Sequence, residues 1–79
     1  MHGVEYMSQL SEGQRATVVE LQLNGSMRRR LQDMGLIPGT GVRCLRKAPS
    51  GSPVIYEIRG TMVALRSCDA GQIRVSPWV

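Results

Sequence analysis

Arg15-Ala16-Thr17-Val18-Val19-Glu20-Leu21-Gln22-Leu23 alternates apolar with polar side chains at period two, then breaks at Asn24-Gly25-Ser26 and changes rhythm. Alternation of that kind describes a strand with one buried face, and it places Thr17, Val19, Leu21 and Leu23 on one side. After the break, Ser26 stands where a helix is capped. Residues 27–34 follow a helical spacing in which Met27, Leu31 and Met34 fall within about 60° of arc. Arg28, Arg29, Gln32 and Asp33 face away. Gly35 then closes the helix as its left-handed residue, a position where a side chain costs about 1 kcal/mol.

Outward from that unit, the chain is cut into short pieces by turn residues. Pro38-Gly39 predicts a tight turn. Residues 42–47, 54–59 and 62–66 read as strands, the last two joined at Gly60-Thr61 as a hairpin. Residues 67–71 suit one short helical turn, and residues 72–75 make a fifth strand. Five short strands on a thin aliphatic core leave edges and one apolar face exposed if the sheet stays flat. Closure solves both problems, so the expectation is a mainly β fold: a small, partly open barrel with one inserted short α-helix plugging one end. Residues 1–9 read as a flexible N-terminal lead-in, residues 10–75 as the barrel, and residues 76–79 as a C-terminal tail.

With 79 residues the chain holds one small domain and one small core. It contains no Phe, and only Tyr6, Tyr56 and Trp78 carry aromatic rings, so Val, Ile, Leu, Met and Ala must fill the core. The formal charge is +4, and nine of the ten cations are Arg, Lys47 being the exception. Arginine's planar fork suits a defined acidic partner. No apolar run is long enough to span a membrane. The opening residues lack the basic and apolar regions of a secretory signal, which predicts a cytoplasmic protein whose Cys44 and Cys68 are thiols. Trp78 has two readings, packing across the barrel mouth or projecting at a partner interface.

The residue inventory is poor in catalytic groups. The single His, His2, lies in the lead-in, so no nucleophile–base–orienter triad can be assembled, and the carboxylates stand apart from one another. Gly39-Thr40-Gly41 lacks the third glycine and the Lys-Ser/Thr ending of a phosphate cradle. Cys44, Cys68 and His2 are the only soft or borderline metal ligands, without the spacing of a four-ligand zinc site; they offer Fe(II) or Zn(II) weak association and no resident cofactor. Arg28, Arg29 and Arg30 fall in the first turn of the expected helix, where the macrodipole disfavours exposed cations by about 0.3 to 1 kcal/mol each. That placement marks either a docking face or a helix former paired weakly from Arg29 to Asp33. Arg30, at the margin of the stripe, lays its stem over the core. Nucleic-acid binding by a small basic barrel is the competing class, and the shortage of stacking rings on the strands argues against it.

The stretch Arg29-Arg30-Leu31-Gln32-Asp33-Met34-Gly35-Leu36-Ile37-Pro38-Gly39-Thr40 resembles the signature of the FeoA family, small cytoplasmic components of bacterial ferrous iron transport. Ala48-Pro49-Ser50-Gly51-Ser52-Pro53-Val54 is similar to that family's Ala-Pro-x-Gly-x-Pro loop, and Val63-Ala64-Leu65-Arg66, Asp69-Ala70 and Ile73-Arg74-Val75 to its C-terminal hairpin. The resemblance covers residues 10–75. It implies an SH3-like β-barrel and a non-enzymatic accessory of the FeoB permease, acting at the inner face of the membrane by protein–protein contact with FeoB's cytoplasmic GTP-binding region or its membrane domain. A second copy of the chain is a further candidate partner. On these terms Arg28, Arg29, Leu36, Ile37, Pro38, Gly39 and Thr40 form the displayed surface. A direct transition-metal-binding module and a nucleic-acid-binding barrel are the alternatives.

Overall fold

The computed structural model describes residues 4–77. Five strands form one antiparallel sheet: β1 (Arg15–Leu21), β2 (Gly41–Lys47), β3 (Val54–Ile58), β4 (Thr61–Leu65) and β5 (Ile73–Pro77). Their order across the sheet is β4-β3-β2-β1-β5. Helix α1 (Gly25–Asp33) is inserted between β1 and β2, and a four-residue helix α2 (Ser67–Ala70) between β4 and β5. This is the mainly β, five-stranded barrel with an inserted helix that the residue pattern predicts.

The strands curl because two of them carry an extra residue. In β1, Val18 pairs with Val75 and Glu20 with Arg74, leaving Val19 over. In β2, Cys44 pairs with Tyr56 and Arg46 with Ile55, leaving Leu45 over. Such bulges bend a strand and increase its twist. The bulge in β1 also corrects the expected face. Ala16 and Val18 point into the core, Val19 is 38% exposed, and Leu21 and Leu23 are buried again one step out of phase. Strict alternation of Thr17, Val19, Leu21 and Leu23 fails at the extra residue, since one inserted residue exchanges the two faces.

The core is aliphatic around one ring, Tyr56, which is fully buried with Met7, Leu10, Leu31, Leu36, Ile58 and Ile73. The Tyr56 hydroxyl donates a 3.0 Å hydrogen bond to the Met7 carbonyl. This contact belongs to a segment that the residue pattern treats as a flexible lead-in, and from residue 5 onward it is part of the barrel. Tyr6 bridges to Arg74, and the Val75 N–H donates to the Glu5 carbonyl at 2.8 Å. Residues 5 and 6 thus cover the outer edge of β5. A single 3₁₀ turn, Met7–Gln9, then drops Met7 into the core, and Leu10 follows it. The Gln9 side-chain oxygen accepts from the N–H groups of Glu5 and Tyr6 at 2.7 and 2.9 Å, which holds the turn.

The hairpin between β3 and β4 turns one residue earlier than the sequence suggests. Ile58 pairs with Thr61, and the two loop residues, Arg59 and Gly60, both have positive φ, 52° and 81°. That is the signature of a type I′ turn, whose twist matches that of the strands it joins.

Candidate functional site

Helix α1 starts at Gly25, two residues before the expected start, with Asn24 as its N-cap and no side-chain cap bond. Ser26 therefore sits inside the first turn and does not cap. The shift moves Arg28 and Arg29 to the middle of the helix and Arg30 into its last turn. The conflict between three arginines and the macrodipole is correspondingly small, since that effect is confined to the terminal turns. All three are exposed, and none pairs with a carboxylate of a described residue; the Arg29–Asp33 pair expected at i, i+4 is not made.

The helix ends in a Schellman motif. The Leu36 N–H reaches back to the Leu31 carbonyl at 2.9 Å and the Gly35 N–H to the Gln32 carbonyl at 3.0 Å, with Gly35 at φ 100°. Leu31 and Leu36, at the two positions whose apolar side chains accompany such a motif, are both fully buried in the core. The expected stripe of Met27, Leu31 and Met34 is thus narrower than predicted. Leu31 is the anchor, Met27 is partly buried, and Met34 is 42% exposed.

Beyond Gly35 the loop is pinned at both ends. Ile37 to Thr40 is a type II turn, with Pro38 at its second position, Gly39 at φ 95°, and the Thr40 N–H donating to the Ile37 carbonyl at 3.0 Å. The Thr40 hydroxyl donates to the Gly35 carbonyl at 2.8 Å. Gly39 N–H donates to the Val18 carbonyl, and Val18 N–H to the Thr40 carbonyl, each at 2.8 Å. Two of the residues named for display are therefore interior: Leu36 is fully buried and Thr40 is 8% exposed. Leu36 fills the helix end, and Thr40 has its hydroxyl engaged by the backbone. What reaches solvent is Arg28 and Arg29 from the helix, and Ile37, Pro38 and Gly39 from the turn, on a rigidly held support.

The metal candidates separate. Cys44 is buried at the centre of β2, where burial, more than any neighbouring charge, raises its thiol pKa and keeps it neutral. Cys68 is exposed on α2. His2 lies outside the described residues, as does Trp78. No three His, Cys, Asp or Glu side chains gather into a metal-sized group among the described residues. Tyr56, the one ring on a strand among the described residues, is buried and cannot stack on a base; its hydroxyl pKa is driven up, first by burial and then by Cys44.

Two surface features escaped the sequence. A shallow pocket of about 190 Å³ is lined by Arg15, Arg43, Glu57 and Arg59 from neighbouring strands and the β3–β4 turn. A groove of about 250 Å³ separates α1 from β4. Neither has a linear signal, because each gathers residues that only the strand order brings together. No helix among the described residues is long and apolar enough to cross a membrane.

The chain is similar to known proteins across most of its length. The model of the FeoA domain matches residues 6–77. A curated Fe(2+) transport protein A/Fe(2+) transporter FeoB fusion protein from Porphyromonas gingivalis is 35% identical over 69 residues, which cover 87% of this chain and 8% of the fusion. The solution structure of FeoA from Chlorobium tepidum superposes with a TM-score of 0.90 at 34% identity, covering 94% of this chain and 70% of that one. Stenotrophomonas maltophilia FeoA, a procaryotic SH3 domain protein complexed with zinc, gives 0.80 at 29% identity, covering 94% of this chain and 91% of that one.

Proposed function

The chain belongs to the FeoA domain family, and from that premise we propose that it serves ferrous iron transport as a non-enzymatic cytoplasmic accessory that binds a FeoB-type permease. The observation that carries this reading is the Porphyromonas gingivalis fusion, in which a domain like this one is joined to FeoB. The chain spans under a tenth of that relative, so the permease lies in the remainder. A covalent link supplies a high local concentration of one module at the other, an arrangement useful when the two act in contact. The geometry is compatible with docking. Arg28 and Arg29 are exposed without a carboxylate partner among the described residues, and Ile37, Pro38 and Gly39 are exposed as well; arginine together with exposed apolar residues is a common composition for a protein interface.

The site also suits contact better than catalysis. Its exposed groups are guanidinium and aliphatic, with no general base among them. Of the residues weighed for direct metal binding, only Cys68 is accessible among the described residues.

The test is association with full-length FeoB in membranes, and with its cytoplasmic GTP-binding region, each with and without guanine nucleotide. Binding is expected, and Arg28→Glu with Arg29→Glu should weaken it by about tenfold or more through charge reversal at the interface. Absence of association at tens of micromolar with both forms of FeoB sinks the reading.

A further inference from the structure

We propose that the free edge of β4, together with the groove between β4 and α1, binds an extended acidic segment of a partner protein as an added strand. The proposal rests on the reading that this chain acts by binding a protein, and it names the mode and the chemistry of that contact without depending on Arg28, Arg29 or the Ile37-Pro38-Gly39 turn.

β4 is an edge strand paired only with β3. Its two-residue turn makes Ile58 and Thr61 a hydrogen-bonded pair, and the alternation of an antiparallel ladder then makes Glu57–Met62 and Ile55–Ala64 non-hydrogen-bonded pairs. The N–H and C=O groups of Met62 and Ala64 therefore point away from β3. No described residue supplies them with a partner. At the opposite end of the sheet, residues 5 and 6 cover the edge of β5, so the two edges are treated differently.

Edge strands are normally blunted by charge, proline or a bulge. Thr61-Met62-Val63-Ala64-Leu65 has none of these, and its register with β3 is unbroken. Met62 is 72% exposed, the most exposed large apolar side chain described. Beside this edge runs the groove, with Met27, Leu31 and Met34 on the helix wall and Val63 and Leu65 on the strand wall. An added strand would hydrogen-bond to Met62 and Ala64 and place every second side chain into an apolar channel, the mode known as β-augmentation.

Charge selects the occupant. Arg30, Arg66 and Asp69 also line the groove, two cations against one carboxylate that is 8% exposed and already engaged by Arg66. Arg66 is oriented by a 3.3 Å contact from its Nε to Asp69 Oδ2, while its side chain stays 70% exposed. Arg30 has no carboxylate partner. A second copy of this chain would bring the same arginines and another +4 of net charge to the contact. A segment alternating apolar and acidic residues meets both the channel and its rim.

The experiment titrates the full ¹⁵N-labelled chain with an acetylated nonapeptide alternating Glu with Val and Ile, and with its counterpart carrying Lys in place of Glu. The acidic peptide should produce its largest shifts, and slowed hydrogen exchange, at the amides of Met62 and Ala64. The Lys peptide should bind about tenfold or more weakly. Ala64→Pro removes one outward N–H without touching the β3 ladder and should abolish the acidic peptide's binding. Should that variant not fold, Arg30→Glu serves, and it should reverse the preference between the two peptides. Equal binding of both peptides, shifts confined to Arg28, Arg29 and residues 37–39, or a dimer that forms without peptide and is lost in Ala64→Pro, would each overturn the proposal. FeoB binding that is lost in the Arg28→Glu, Arg29→Glu variant but unaffected by Ala64→Pro overturns the β4 proposal alone. Peptide binding as described, with no FeoB binding, leaves it standing and removes the FeoB assignment.

Discussion

Gly35 lies directly under the aliphatic stem of Arg59: a Cβ built on Gly35 would come within 2.6 Å of Arg59 Cδ. The contact joins the end of α1 to the β3–β4 turn, and both residues have positive φ, 100° and 52°. Gly35→Ala carries two separable costs, the left-handed backbone of about 1 to 2 kcal/mol and the displacement of Arg59. Denaturant melts of Gly35→Ala alone and with Arg59→Ala should show that the second change recovers only the steric part. Full recovery in the double variant would mean that backbone conformation contributes nothing.

Leu31 and Met34 sit on the same helical stripe but differ in energy. Leu31→Ala should cost about 2 to 5 kcal/mol, because Leu31 is fully buried in the core. Met34→Ala should cost under about 0.5 kcal/mol, as substitutions at exposed positions do. Equilibrium unfolding of the two variants checks the ordering; equal losses would contradict it.

Tyr56→Phe leaves the Met7 carbonyl without its 3.0 Å donor and should cost about 1 to 3 kcal/mol. Removing residues 1–9 deletes that carbonyl, the buried Met7 side chain and the cover on β5, and should destabilise far more. A truncated chain melting like the whole one would show that the segment is dispensable.

The two thiols should react very differently. Cys68 is exposed and should be modified rapidly by a thiol reagent at pH 8, whereas Cys44 should react only on unfolding. Burial raises the Cys44 pKa above its ordinary 9.0, so the unfolded chain loses this proton at lower pH than the folded one. The corresponding stability is intact below about pH 9 and is lost as pH rises through the folded-state value. Melts above pH 9 should show a steeper loss for the native chain than for Cys44→Ala; parallel curves would remove Cys44 as the cause.

Much of this protein is legible along the chain because the signals are local. Period-two patterning placed strands, Gly35 announced the helix end, and Pro38-Gly39 the turn, since each depends on backbone sterics within a few residues. The linear pattern and the fold part company where a partner strand sets the outcome. Whether Val19 or Val18 faces inward depends on a bulge against β5, whose register is set by a strand more than fifty residues away. Leu36 and Thr40 look like loop residues until α1 and β1 are seen to close on them. Met7 belongs to the core because a 3₁₀ turn folds it onto the barrel, where Tyr56, far along the chain, reaches its carbonyl.

The linear pattern of breakers and apolar residues therefore decides the mainly β class, the inserted helix and its glycine stop, and the motifs carry the family. The tertiary structure decides which arginines are displayed, which cysteine is accessible, that the N-terminal segment seals β5, and that β4 is an open edge beside an apolar groove. The division has a physical cause. Backbone conformation answers to nearest neighbours, whereas burial and exposure depend on residues distant in sequence, which only the folded chain brings together.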